Sequence, residues 1–343
     1  MKRQLAIYFI YVFFVSVSIM AYSCQSDSRS KKNTSYGTSI DKRRSTIMLD
    51  LIRAEEMVAA GELRQAVGLI DELVSKKPQW ADPYLLKGNI FTTVGQHDKA
   101  KSAYEKLVKI DPDYLSAWFK LGNNAYRKKQ YQEAISFYNQ ELTGKQSNAL
   151  QSKDKQITML QIGRCYMHIG KVDSALIIYN ECIKIDSLYS EVMGDVARLH
   201  IDNGDYKTAM EFANKAVALD EKNIDYKYSL GTVYLKTNQY KQAVTYLQAV
   251  AGQRPFYEGA YYNLGQAFIR LGNNNIGSQY LLKADSIQTL YSSLENLKLA
   301  ADRSPDNQRK WLELAKAYDS VGMKVEADQA RFAAQFTNTL KNK

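Results

Sequence analysis

The sequence predicts an all-α fold, a solenoid of about eight stacked helix–turn–helix units. Three observations predict it. Residue types recur at a spacing of about 34 through most of the chain. Each repeat holds two runs with apolar residues at i, i+3, i+4 and i+7, the period of an amphipathic helix. Only 5 prolines and 18 glycines occur in 343 residues, too few breakers for a sandwich of many short strands. Hydrophobic residues make up 45% and charged residues 24%, so the chain can bury a core.

The chain opens on Lys2-Arg3. Leu5 to Tyr22 are then 18 residues without a charge, followed by Cys24 and the polar run Gln25-Ser26-Asp27-Ser28. A basic start, an apolar core, small residues at Ala21 and Ser23, then Cys: this order resembles a bacterial lipoprotein signal, in the looser form of Bacteroidota lipoproteins. The resemblance implies that residues 1–23 are removed and that the Cys24 thiol takes a diacylglycerol. Two or more acyl chains anchor a protein stably, which one chain does not. The expected location is the cell envelope, on the outer membrane; an uncleaved membrane anchor is the alternative. Residues 24–46 are rich in Ser, Lys, Arg and Thr and read as a flexible basic tether.

The net charge of +10 invites a nucleic-acid reading, but its distribution argues against one. The first 46 residues hold eight basic and two acidic groups; the other 297 hold 38 and 34, interspersed. The repeats therefore present a mixed surface rather than a phosphate-binding face.

The units run 47–80, 81–114, 115–148, 156–189, 190–223, 224–257, 258–291 and 308–341. In the second, Tyr84, Gly88 and Phe91 share one face of the first helix, and Ala100, Tyr104 and Leu107 one face of the second. Equivalent residues include Ala54 and Ala66 in the first unit, Trp118, Gly122 and Tyr138 in the third, and Gly163, Ala175 and Tyr179 in the fourth. Later units carry Ala197 and Ala209, Gly231 and Ala243, Gly265 and Gly277, then Trp311, Ala315 and Ala327. Small residues let paired helices approach closely. Gly61, Gly95, Gly170, Gly204, Gly272 and Gly322 are placed to end first helices in a left-handed backbone. Asp111-Pro112 stops a second helix. Two stretches break the phase. Residues 149–155 are expected to lengthen helices or link units. Residues 292–307 are expected to add a helix carrying Leu294, Leu297, Ala300 and Ala301, stopped at Pro305.

These residues resemble the tetratricopeptide repeat pattern, W-x2-L-G-x2-Y followed by A-x3-F and a closing Pro, over residues 47–341. The resemblance implies a right-handed superhelix whose first helices line a concave groove for extended peptides or partner helices. Mapped onto this chain, the candidate groove residues are Leu85, Phe119, Leu160, Tyr228 and Tyr262 in an apolar row. Asn89, Asn123, Arg164 and Arg198 form a polar row, and Arg127 and Arg270 lie beyond it. Asn amides can both donate to and accept from a peptide backbone. Arg127, Arg164 and Arg198 form a central basic stretch suited to carboxylates. The family's clamp for chaperone C-termini wants Lys where Leu85 stands and a basic residue at Gln161, so that mode is excluded.

The expected role is a membrane-tethered scaffold that binds other proteins in the envelope, as an accessory to assembly or secretion. The alternative is glycan or peptidoglycan binding on aromatic rings, since the chain has 25 tyrosines. No catalytic motif, cofactor or metal site is read. Cys165 and Cys182 fall on core positions of the fourth unit, as buried thiols or a disulfide. His168 should face the groove, His200 should pack where the pattern wants Tyr, and His97 should be exposed near a turn.

Overall fold

The computed structural model describes residues 37–336, with side chains from Thr46. Cys24 and the signal-like segment lie outside the described residues. The chain falls into two units, 1–49 and 50–343. Sixteen α-helices and no strand occur among the described residues. They are α1 (Gly37–Ala59), α2 (Leu63–Lys76), α3 (Ala81–Thr93), α4 (His97–Ile110), α5 (Ala117–Arg127), α6 (Tyr131–Thr143), α7 (Ser152–His168) and α8 (Val172–Ile185). The remainder are α9 (Ser190–Asp202), α10 (Tyr206–Leu219), α11 (Ile224–Lys236), α12 (Tyr240–Gln253), α13 (Glu258–Arg270), α14 (Asn274–Asp302), α15 (Gln308–Ser320) and α16 (Lys324–Phe336). Odd-numbered helices are the first helices of the eight repeats.

Two boundaries differ from the sequence reading. Residues 37–46, expected as tether, are helical as the start of α1. Residues 292–302 form no separate helix. They prolong α14 to 29 residues, roughly 43 Å, because their apolar spacing continues the phase of α14 and no breaker comes before Pro305. Within the insertion at 149–155, α7 begins at Ser152, so four of its residues lengthen that helix; a 3-10 turn at Lys145–Ala149 comes just before it.

Packing within a pair explains the small residues. Tyr104, Tyr138 and Tyr179 are fully buried, each lying flat on a glycine of the preceding helix. A Cβ built at Gly88, Gly122 or Gly163 would sit 2.3–2.4 Å from the ring, so any larger residue must evict the tyrosine. At the seventh unit the approach is closer still. A Cβ at Gly277 would stand 2.8 Å from the Gly265 carbonyl, which is why glycine replaces alanine there. The six turn glycines all have positive φ, from 72° to 82°. Units three and six use Lys129 (φ 60°) and Asn238 (φ 62°) at that point, and pay some strain for it.

Adjacent units are pinned at their prolines. Tyr84 donates to the Pro78 carbonyl at 3.2 Å, Trp118 to Pro112 at 2.8 Å and Trp311 to Pro305 at 3.0 Å, each six residues apart. The shared geometry ties α3, α5 and α15 to the residues that end the preceding helix. In unit three the start of α5 is held differently. Ser116 is left-handed at φ 66°, and the buried Glu141 carboxylate accepts from the amides of Ser116 (3.1 Å) and Phe119 (3.2 Å). A carboxylate at a helix N-terminus satisfies orphan donors and the helix dipole together. First helices also meet the next first helix directly along α7, α9, α11 and α13, so one face of the stack is made of first helices. Phe332 on α16 packs against the buried cluster that runs from Ala54 to Leu121 in the first three units.

Candidate functional site

The candidate groove face is built by the ninth residue of each unit and its neighbours. In units two and three that residue is an asparagine with a fixed orientation. Tyr104 donates to Asn89 Oδ1 at 2.9 Å, and Tyr138 donates to Asn123 Oδ1 at 2.7 Å. The tyrosines come from the second helices of the same units, and burial pushes the Tyr104 phenol up to about 12, so it remains a donor. Each amide oxygen is therefore engaged by a tyrosine, which leaves the NH2 to donate. Leu85 and Phe119 stand beside them, half-buried, with Phe119 tilted on Tyr138 at 5.7 Å between ring centroids.

Units four and five look different. Asp195 is buried and accepts from Arg164 Nε at 2.5 Å and from Arg198 Nη2 at 2.9 Å. The basic stretch expected at Arg127, Arg164 and Arg198 is thus partly neutralised from within, because one carboxylate serves two guanidiniums. Arg127 remains exposed and unpaired among the described residues, as does Arg270. Leu160 is a correction: at 2% exposure it lies in the core with Ala175, Tyr179 and Val192, not on the groove. One turn earlier on α7, Gln156 Nε2 reaches the Cys182 carbonyl at 3.2 Å.

Farther along, Tyr228 and Tyr257 form a tilted pair with centroids 4.7 Å apart. They line a cleft of about 210 Å³ together with Arg198, Asp202, Ser229 and Thr232. Burial raises the Asp202 carboxyl and the neighbouring Arg198 offsets part of that. Tyr262 is 49% exposed on α13. At the seam between units three and four, His168 stacks on Tyr131 at 4.5 Å and its Nε2 lies 2.9 Å from the Tyr126 hydroxyl.

The other histidines and the cysteines behave as core or seam residues. His200 stacks on Phe212, as expected of a ring in a tyrosine position. His97 is half-buried rather than exposed, its Nδ1 buried without a partner. Cys165 and Cys182 are free and buried in different clusters. Cys165 packs with Ala134 and Tyr138 of unit three, and Cys182 with Val192 of unit five. No group of acidic, His and Cys residues among the described residues is placed to hold a metal ion.

The sequence profile of the tetratricopeptide repeat matches residues 85–149 and again residues 158–187. Tetratricopeptide repeats are present in this chain. The profile of anaphase-promoting complex (cyclosome) subunit 3 matches residues 202–284. Among curated proteins, TPR repeat-containing protein YpiA of Bacillus subtilis (strain 168) is 23% identical over 193 residues, 55% of this chain and 43% of that protein. Anaphase-promoting complex subunit 3 of Schizosaccharomyces pombe is 18% identical over 238 residues, 67% of this chain and 34% of that one. The chain thus spans less than half the length of these two relatives. Among solved structures, the APC/C hetero-tetramer Cut9–Hcn1 aligns with a TM-score of 0.55 at 16% identity, over 69% of this chain and 45% of that one. PilW, a type IV pilus biogenesis factor, aligns with a TM-score of 0.53 at 16% identity, over 63% and 96%. At such identities the likeness is one of fold, an all-helical repeat solenoid.

One row of tetratricopeptide positions escaped the sequence reading. Asp195 is the sixth residue of its unit, and Asn263, sixth in unit seven, donates to Thr232 Oγ1 at 3.1 Å. The sixth residue therefore bonds back to the ninth residue of the unit before. The 34-residue register carried this signal, since Lys120, Gln161, Asp195, Ser229 and Asn263 are a run of polar residues at one position.

Proposed function

We propose that this chain is a binding scaffold whose first-helix face holds an extended segment of another protein. One observation carries the reading: the Asn89 and Asn123 amides are held through their oxygens by buried tyrosines, which leaves their NH2 groups to donate, beside half-buried Leu85 and Phe119. A rigid row of amide donors at repeat spacing suits the carbonyls of an extended backbone. We further infer that the scaffold works in a bacterial envelope on a lipid carried by Cys24. The support is the order of basic start, apolar run, small residues and cysteine.

A photo-crosslinking residue placed at Phe119 tests the first part, with one at the exposed Ile177 on α8 as the comparison. Capture of a partner at Phe119 and not at Ile177 is expected; capture only at Ile177 moves binding to the second helices. Cys24→Ser tests the tether. Release of the protein into the soluble fraction is expected, and unchanged membrane retention would point to an uncleaved anchor.

A further inference from the structure

Lys120 is the feature that the groove description leaves unused. It lies on α5 with Asn123 and Arg127 at i, i+3 and i+7, so one stripe of that helix carries all three. The register shows what Lys120 faces. As the sixth residue of unit three it is equivalent to Asp195 and Asn263, which reach Arg164 and Thr232, the ninth residues of the preceding units. The ninth residue of unit two is Asn89.

Lys120 is half-buried, and desolvation alone lowers the affinity of its amine for a proton. Neighbouring lysines are paired: Lys101 with Glu133 at 2.6 Å and Lys128 with Asp98 at 2.5 Å. Lys120 and Arg127 have no carboxylate among the described residues. The two asparagines add only donors, because their oxygens are held by Tyr104 and Tyr138. By register Lys120 falls opposite Asn89, while Asn123 and Arg127 share its stripe of α5, and Leu85 and Phe119 lie one turn before the two asparagines. Such a set, poor in acceptors, leaves a desolvated cation uncompensated until an acceptor arrives.

We propose that Lys120, Arg127, Asn89 and Asn123 form a site for the carboxylate side chains of an acidic, extended segment of a partner protein, resting on the groove being the binding face. A carboxylate offers acceptors only, with about four lone-pair sites, and matches this donor set. A basic segment would leave Lys120 opposed to like charge, and an apolar one would bury it further. The site differs from the pair at Arg164 and Arg198, where the carboxylate is already supplied by Asp195.

The test uses the whole chain and two fluorescent peptides with amidated C-termini, hexaglutamate and hexaglutamine, followed by anisotropy at low salt. Hexaglutamate is expected to bind at least about tenfold tighter than hexaglutamine, and to weaken as salt rises. Lys120→Gln should cost roughly tenfold and Lys120→Arg less than about twofold, while Lys184→Gln, an exposed charge on α8, leaves binding unchanged. Equal binding of both peptides, or no loss in Lys120→Gln, overturns the carboxylate site. A hexaglycine with a free C-terminus binding as tightly as hexaglutamate would also overturn it, in favour of a chain terminus. A photoreactive group on the peptides separates this from the premise. Labelling of α3 and α5 by both peptides equally leaves the groove standing and removes only the carboxylate site; labelling of second helices alone removes the groove reading itself.

Discussion

Arg164 and Arg198 in units four and five share one buried carboxylate, whereas Lys120 and Arg127 in unit three share none. Both pairs sit on first helices and both would count as basic in any tally of charges. The first pair is compensated inside the protein: Arg164 ties α7 to Asp195 on α9, and Arg198 pairs with the same carboxylate within α9. The second pair is left for something else. A groove's affinity for anions follows the cations that the fold leaves unpaired, and neighbouring units of one solenoid can differ completely in that respect.

The largest expected effect breaks the compensated pair. Asp195→Ala leaves two guanidiniums without their partner, one of them in a largely buried place. A loss of about 2–3 kcal/mol is expected, below the ~3–5 kcal/mol for a fully buried pair because Arg198 is half in water. Chemical denaturation measures it, and an unchanged midpoint would mean that Asp195 does not hold the seam. The same variant should gain affinity for hexaglutamate, since it makes units four and five resemble unit three.

The next effect has the opposite sign. Lys120→Leu removes a desolvated ammonium without a partner, and unit two already has Leu86 at that position. Stability is expected to rise by about 1 kcal/mol, visible as a higher melting temperature. A fall would reveal a stabilising contact to Lys120 and weaken the contrast drawn here.

Tyr138→Phe is expected to cost about 1 kcal/mol by removing its hydrogen bond to Asn123, with the ring still in place over Gly122. Thermal melting reads the cost. If the melt is unmoved, the amide is not held by the phenol and its donors are not preset.

The smallest effect is a matter of pH. Burial pushes the Cys165 thiol up to about 12 and the Cys182 thiol up to about 11. Between the ordinary thiol value and these, the folded chain holds protons that the unfolded chain releases, so raising the pH through that window works against folding. In folded protein both thiols should resist iodoacetamide at pH 8, with Cys182 the first to react as the solution is made more alkaline. Rapid alkylation at pH 8 would show that unit four opens.

Much of this architecture could be read from residue spacing. The helical repeat and the left-handed turn glycines follow from period and residue type. What spacing could not supply was the state of each polar side chain. Arg164 looked free until Asp195, one unit on, was seen to reach it. Leu160 was placed on the groove by its position in the repeat, yet the cover of that position varies from unit to unit, with Leu51 and Leu160 buried and Tyr262 and Leu312 exposed. Position alone also placed a separate helix within 292–307, where an uninterrupted phase simply lengthened α14 to Asp302.

The contact of Phe332 with the cluster from Ala54 to Leu121 bears on how the molecule comes apart. A linear array in which units touch only their neighbours frays inward from either tip, and its two tips melt independently. Here the last helix lends a side chain to the first units, so damage at one terminus is felt at the other. Clipping residues 308–336 should speed amide exchange in α2 through α4, a distance in sequence of more than two hundred residues.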